Sequence, residues 1–110
     1  MDKHSINFEK IEWIESGIGL RYKKMVNGSQ QLRLVEFSEG FVEADWCLKG
    51  HAGIVMDGEF ALDFNGRLEY FRKGDICFIP SGETDKHKAI LSKGQKVTLL
   101  LFEIVDSEIL

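Results

Sequence analysis

Glycine cuts this chain into short apolar pieces, and that punctuation limits what it can fold into. Asn27-Gly28, Glu39-Gly40, Asp57-Gly58, Asn65-Gly66, Lys73-Gly74, Ser81-Gly82 and Lys93-Gly94 recur at short intervals. Glycine takes positive φ without a Cβ clash, so Asn-Gly and Asp-Gly pairs mark hairpin turns. Between them lie runs dense in Val, Ile, Leu, Phe and Tyr: Leu32 to Phe37, Glu59 to Phe64, Leu68 to Phe71, Ile76 to Pro80 and Val97 to Val105. Short apolar runs between regular turn signals predict an all-β barrel or sandwich. The one helical candidate is Asn7 to Glu15, where Phe8, Ile11 and Ile14 would share a face. A strand around Ile11 to Ile14 competes with it.

Two runs indicate which faces are buried. From Glu59 to Phe64, the residues Phe60, Leu62 and Phe64 alternate with Glu59, Ala61 and Asp63, which predicts a strand with one wet face. Ile76 to Ile79 is apolar throughout, which predicts a strand covered on both sides.

The length of 110 residues suits a single domain spanning residues 1–110. A net charge of −4, with no basic cluster beyond Arg21-Tyr22-Lys23-Lys24, gives no electrostatic footprint for nucleic acid. No apolar run approaches the roughly 18 residues of a membrane span. The N-terminal sequence MDKHSINFEKIEW lacks the apolar core of a signal peptide, so a cytoplasmic location is expected and no membrane partner. In that compartment Cys47 and Cys77 are expected to be reduced thiols. Trp13, Ile11 and Ile14 carry more apolar bulk than a free tail should, which predicts packing on a barrel face or on a second subunit of a homodimer.

Residues 30–103 resemble the cupins, small double-stranded β-helix barrels of the jelly-roll, RmlC-like type. The second cupin motif is a glycine, five residues, a proline, one residue, a glycine, two residues and a histidine. Gly74, Pro80 and Gly82 fit it, and Asp75 and Phe78-Ile79 are typical neighbours. The end of the first motif is matched by His51 to Gly58-Glu59. The resemblance implies the fold; it implies little about activity, because this barrel hosts many chemistries.

In metal-binding cupins two histidines, a glutamate and a later histidine form the metal shell. Here the glutamate position is His51. Counting back by the two permitted spacings puts either Asp45 and Cys47, or Ala44 and Trp46, at the paired histidine positions. The later histidine position is Asp85, with His87 two residues on. If residues 41–49 form a strand, one face carries Phe41, Glu43, Asp45, Cys47 and Lys49, and the other Val42, Ala44, Trp46 and Leu48. Burial favours the apolar face as barrel lining, which predicts Trp46 inside and Cys47 outside.

These residues support several chemistries. In the preferred one, the barrel binds a small polar or anionic molecule without the usual metal shell. The pocket is then lined by Trp46, His51, His87, Phe60 and Phe78, with Phe64 also a candidate. The alternative is a metal-dependent enzyme of the dioxygenase or isomerase type. A divalent transition metal would be its cofactor, held by His51 and His87 with Cys47 or Asp85. A further alternative is a non-catalytic sensor or interaction module. No hydrolase elbow, phosphate loop or dinucleotide fingerprint is present, and the Gly17-Ile18-Gly19 pair is too slight to count as one.

Overall fold

A computed structural model describes residues 4–104. The eight strands are β1 (Ile14–Glu15), β2 (Leu20–Asn27), β3 (Gln30–Ser38), β4 (His51–Asp63), β5 (Leu68–Arg72), β6 (Ile76–Ile79), β7 (Lys88–Ile90) and β8 (Lys96–Ile104). All pairings are antiparallel, in the order β1-β2-β3-β8-β4-β5, with β6 and β7 also on β4. The long β4 ties the barrel together. Its first half lies between β6 and β8, and its second half pairs with β5 and β7. The sheet curls around Val35, Val55, Phe60, Val97, Leu99 and Leu101, all buried.

The all-β architecture agrees with the glycine rhythm. Gly28, Gly66, Gly74 and Gly94 all take positive φ between or beside strands. Asp57-Gly58 does not turn the chain. It sits inside β4, where the pairing with β8 slips by one residue between Val55 and Asp57. Gly58 has φ +78° at this bulge, so the positive φ expected from the sequence is real, but it bends a strand rather than closing a hairpin.

Three further expectations are corrected. Asn7 to Glu15 forms a 3-10 turn, Phe8–Lys10, followed by β1, and no α-helix. Ala61 is buried beside Phe60 and Leu62, because β4 is flanked by both β5 and β7 there. β6 is covered on one face only: Cys77 and Ile79 point into the core, while Ile76 and Phe78 are 62% and 86% exposed. The N-terminal segment packs on β2. The Lys23 ammonium donates to the Phe8 carbonyl at 2.7 Å and stands 4.8 Å from the Trp13 ring centre, with the Arg21 guanidinium at 4.1 Å. No helix among the described residues is long and apolar enough to cross a membrane.

Candidate metal and ligand site

Inside the curl lies a cavity of about 210 Å³. Its polar wall is built where the connection between β3 and β4 crosses the segment before β7. There Cys47 and His87 form an isolated antiparallel bridge: Cys47 N–H donates to the His87 carbonyl at 2.9 Å, and His87 N–H to the Cys47 carbonyl at 3.1 Å. Residues directly opposite in an antiparallel pair send their side chains to the same face. The bridge therefore commits the Cys47 thiol and the His87 ring to the same side. His51 opens β4 opposite Ile79 and lines the same cavity. One donor atom from each of Cys47, His51 and His87 falls within 4.8 Å of the others.

Cys47 faces the cavity and Trp46 does not, the reverse of what burial of the apolar face predicts. Residues 41–50 make no continuous ladder, and the one bridge, at Cys47, sets the parity. Trp46 lies outside the cavity, with the Lys86 and Lys88 ammonium groups 5.4 and 4.7 Å from its ring centre. Val42 and Leu48 stay exposed. The inward charge is accommodated by pairing: Glu43 Oε1 accepts the Ala89 N–H at 2.7 Å. Of the other sequence candidates, Phe60 lines the cavity and Phe78 is on the outer surface. The Phe64 ring lies tilted against the His87 ring, 5.7 Å between centres. Asp85 lies in the 3-10 turn Glu83–Asp85 and is not among the clustered donors. It contributes its backbone carbonyl instead.

That carbonyl fixes the tautomer of His87. Nδ1–H donates to the Asp85 carbonyl at 2.9 Å, which leaves Nε2 bare. His87 is only 3% exposed, and its Nε2 has no hydrogen-bond partner among the described residues; neither has His51 Nδ1. Buried ring nitrogens without partners are costly unless something in the cavity supplies one. The third contact is Cys47 Sγ to His51 Nε2 at 3.5 Å.

Electrostatics favour a charged donor set. The hydrogen bond with His51, and then the His87 ring, pull the Cys47 thiol from an ordinary 9.0 down to about 6, against the effect of burial. The Cys47 sulfur in turn raises His87. Cys77, on the same cavity wall, goes the other way: burial pushes it up to about 11. Metal-free protein should therefore be alkylated at Cys47 alone. Its rate should rise through pH about 6 and level off by neutrality, because the thiolate is the nucleophile. A rate still climbing at pH 8 to 9, tracked by mass spectrometry of each cysteine, would contradict this environment.

Three charged lining residues were not among the sequence candidates: Arg33, Glu43 and Lys49. Arg33 interrupts the apolar run Leu32 to Phe37 on the same face as the buried Val35. A cation at a core-facing position was the available signal. Its Nε and Nη2 donate to Glu103 at 2.7 and 2.8 Å, and Gln31 adds a bond to the same carboxylate at 2.7 Å. Burial alone would raise the Glu103 carboxyl, but these partners hold it below its ordinary value.

No protein-family model and no curated protein sequence matches the chain. Solved structures do. The polyketide cyclase RemF from Streptomyces resistomycificus superposes with a TM-score of 0.78 at 18% identity, over 93% of this chain and 79% of that one. An RmlC-like cupin from Shewanella frigidimarina gives 0.72 at 20% identity, over 97% and 96%. The chain has the cupin fold. KdgF from a Halomonas species is similar as well, with a TM-score of 0.70 at 21% identity over 96% of each chain.

Proposed function

We propose that this cupin-fold chain binds a small polar or anionic molecule beside a divalent transition metal held by Cys47, His51 and His87. The observation that carries the reading is the convergence of the three donor atoms within 4.8 Å in one cavity. Donors at about 2.3 Å (sulfur) and about 2.0–2.1 Å (nitrogen) from one tetrahedral ion stand about 3.5 Å apart. Cys47 Sγ and His51 Nε2 are separated by 3.5 Å. The set also suits the chemistry of such a site. The thiol ionises readily, His87 presents a bare Nε2, and a backbone carbonyl orients its ring from behind, as outer-shell partners do for ligating histidines. Two imidazoles and a thiolate match zinc, iron or copper in softness. A metal ion bound there would supply Lewis acidity toward an oxygen of the bound molecule.

The chain's own residues do the rest. Apolar side chains such as Phe37, Phe60 and Leu99 keep water from the inner side of the cavity. Lys49 on the cavity wall, with no ion pair among the described residues, attracts an anion, and Arg33, whose charge is shared with Glu103, keeps Nη1 to donate to it. The cupin-fold relatives include a polyketide cyclase, so an enzyme acting on a bound organic molecule is the extended form of this reading. Protein purified without a histidine tag is expected to carry about one equivalent of zinc, iron or copper per chain by elemental analysis. A metal-free protein that also fails to take up zinc or cobalt would overturn the centre.

A second observation favours a homodimer. Ile76, Phe78 and Phe102 lie exposed on the outer face of β6 and β8, across β4 from one another. Exposed apolar patches of this kind mark interaction surfaces. A single-chain mass by sedimentation at micromolar concentration would rule out the pairing.

A further inference from the structure

The cavity is two-sided, and its two sides specify an occupant more closely than "small and polar". Its inner side is aromatic and aliphatic. Phe37 packs on Phe41 at 4.8 Å between ring centres and on Phe60 at 6.3 Å, and Leu62 and Leu99 line the same wall. No polar group in that set could serve the hydroxyls of a sugar. A hydroxylated ligand placed there would lose its water hydrogen bonds without replacement.

The other side is ionic. Besides the Cys47–His51–His87 cluster, the wall carries two cations, Arg33 and Lys49, and one carboxylate, Glu43. Glu43 is engaged by the Ala89 N–H. Arg33 gives Nε and Nη2 to Glu103, and its Nη1 makes no hydrogen bond among the described residues. Lys49 makes no ion pair among the described residues. A volume of about 210 Å³ is below the roughly 300–1,000 Å³ of pockets that take drug-sized molecules. It suits a body of about one ring or one branched chain.

We infer that the cavity takes a compact amphipathic carboxylate, with an apolar or aromatic body against Phe37, Phe41 and Phe60 and its acid group toward Arg33, Lys49 and the donor cluster. This rests on the proposed centre and deepens it, because the acid group would share that end of the cavity. A carboxylate meets a planar guanidinium and an ammonium favourably, and the apolar body replaces water that has no partners on the aromatic side.

Isothermal titration of the zinc-loaded protein with four compounds separates the features. Phenylacetate carries both, acetate only the acid, 2-phenylethanol only the ring, and glucuronate the acid on a hydroxylated body. Phenylacetate is expected to bind at least about ten-fold more tightly than each of the others. Phe41→Ala should remove its advantage over acetate, and Lys49→Met its advantage over 2-phenylethanol. Both variants keep the three metal donors, and their folding is checked by circular dichroism. Equal or tighter binding of glucuronate, parity between the acid and the alcohol, or no binding by phenylacetate would each overturn the inference. Cobalt uptake, followed in the same preparations by thiolate-to-cobalt absorption, reads the metal centre independently. Cobalt bound with no preference for phenylacetate sinks the inference and leaves the centre standing. Absence of cobalt uptake sinks the centre, and the inference is then decided by the same affinity ratios in the metal-free protein.

Discussion

Replacing Gly58 by valine is expected to lower stability by about 3 kcal/mol or more, enough to leave much of the protein unfolded if its total stability is ordinary. Two costs add. A Cβ at this position would collide with the Lys96 carbonyl of the neighbouring strand β8. That atom is backbone in a central ladder, so relief requires pulling β8 away from β4. In addition, φ at Gly58 is +78°, where a β-branched residue is strained by about 1–3 kcal/mol. Gly66→Ala is the natural comparison. Gly66 also has positive φ, +105°, but a Cβ there meets nothing within 4 Å, so only the backbone cost of about 1 kcal/mol applies. Urea unfolding of the two variants separates collision from dihedral strain. A loss below about 1 kcal/mol in Gly58→Val would mean that the bulge is misplaced.

Removing Cys47 should be as damaging to metal binding as Gly58→Val is to the fold. Losing an outer-shell partner of a ligating histidine already costs about 10–100-fold in affinity. Losing the sole thiolate of three donors should exceed that, so Cys47→Ala is expected to weaken cobalt binding by more than about 100-fold. The thiolate-to-cobalt absorption should disappear with it. His87→Ala should weaken binding comparably while keeping that absorption in whatever complex still forms, because the sulfur remains. Asp85→Ala is the informative control. Its side chain is outside the donor cluster, and only its backbone carbonyl meets His87. Metal affinity should therefore change little. Unchanged cobalt binding in Cys47→Ala would show that the three donors do not act on one ion. Acid should release the metal from the intact site, because His87 must be neutral and Cys47 ionised to ligate. With the Cys47 thiol at about 6, metal loading should fall as pH drops below that region.

Much of the fold was legible because β-structure writes itself locally. Turn glycines need positive φ wherever they sit, and apolar runs of strand length report burial without knowledge of the partner strand. Both signals survive even where their setting was misread: Gly58 needs its positive φ at a bulge as it would at a turn. His51 and His87 were candidates only through the family resemblance: His51 falls at a first-motif position, while the spacing after Gly82 points to Asp85 and leaves His87 two residues beyond it.

What the sequence determined by itself was an all-β chain with two histidines and a thiol within reach of one barrel. Only the tertiary structure decided that Cys47 joins them and Trp46 does not. The preference for an apolar lining assumes a regular strand over residues 41–49, and there is none. One pair of hydrogen bonds, between Cys47 and His87, fixes which side chains turn inward. That pairing joins residues forty positions apart, so no periodicity within either segment could report it. The exposed Ile76 and Phe78 teach the same limit: an apolar run shows what a strand could bury, and the neighbouring chain decides what it does bury.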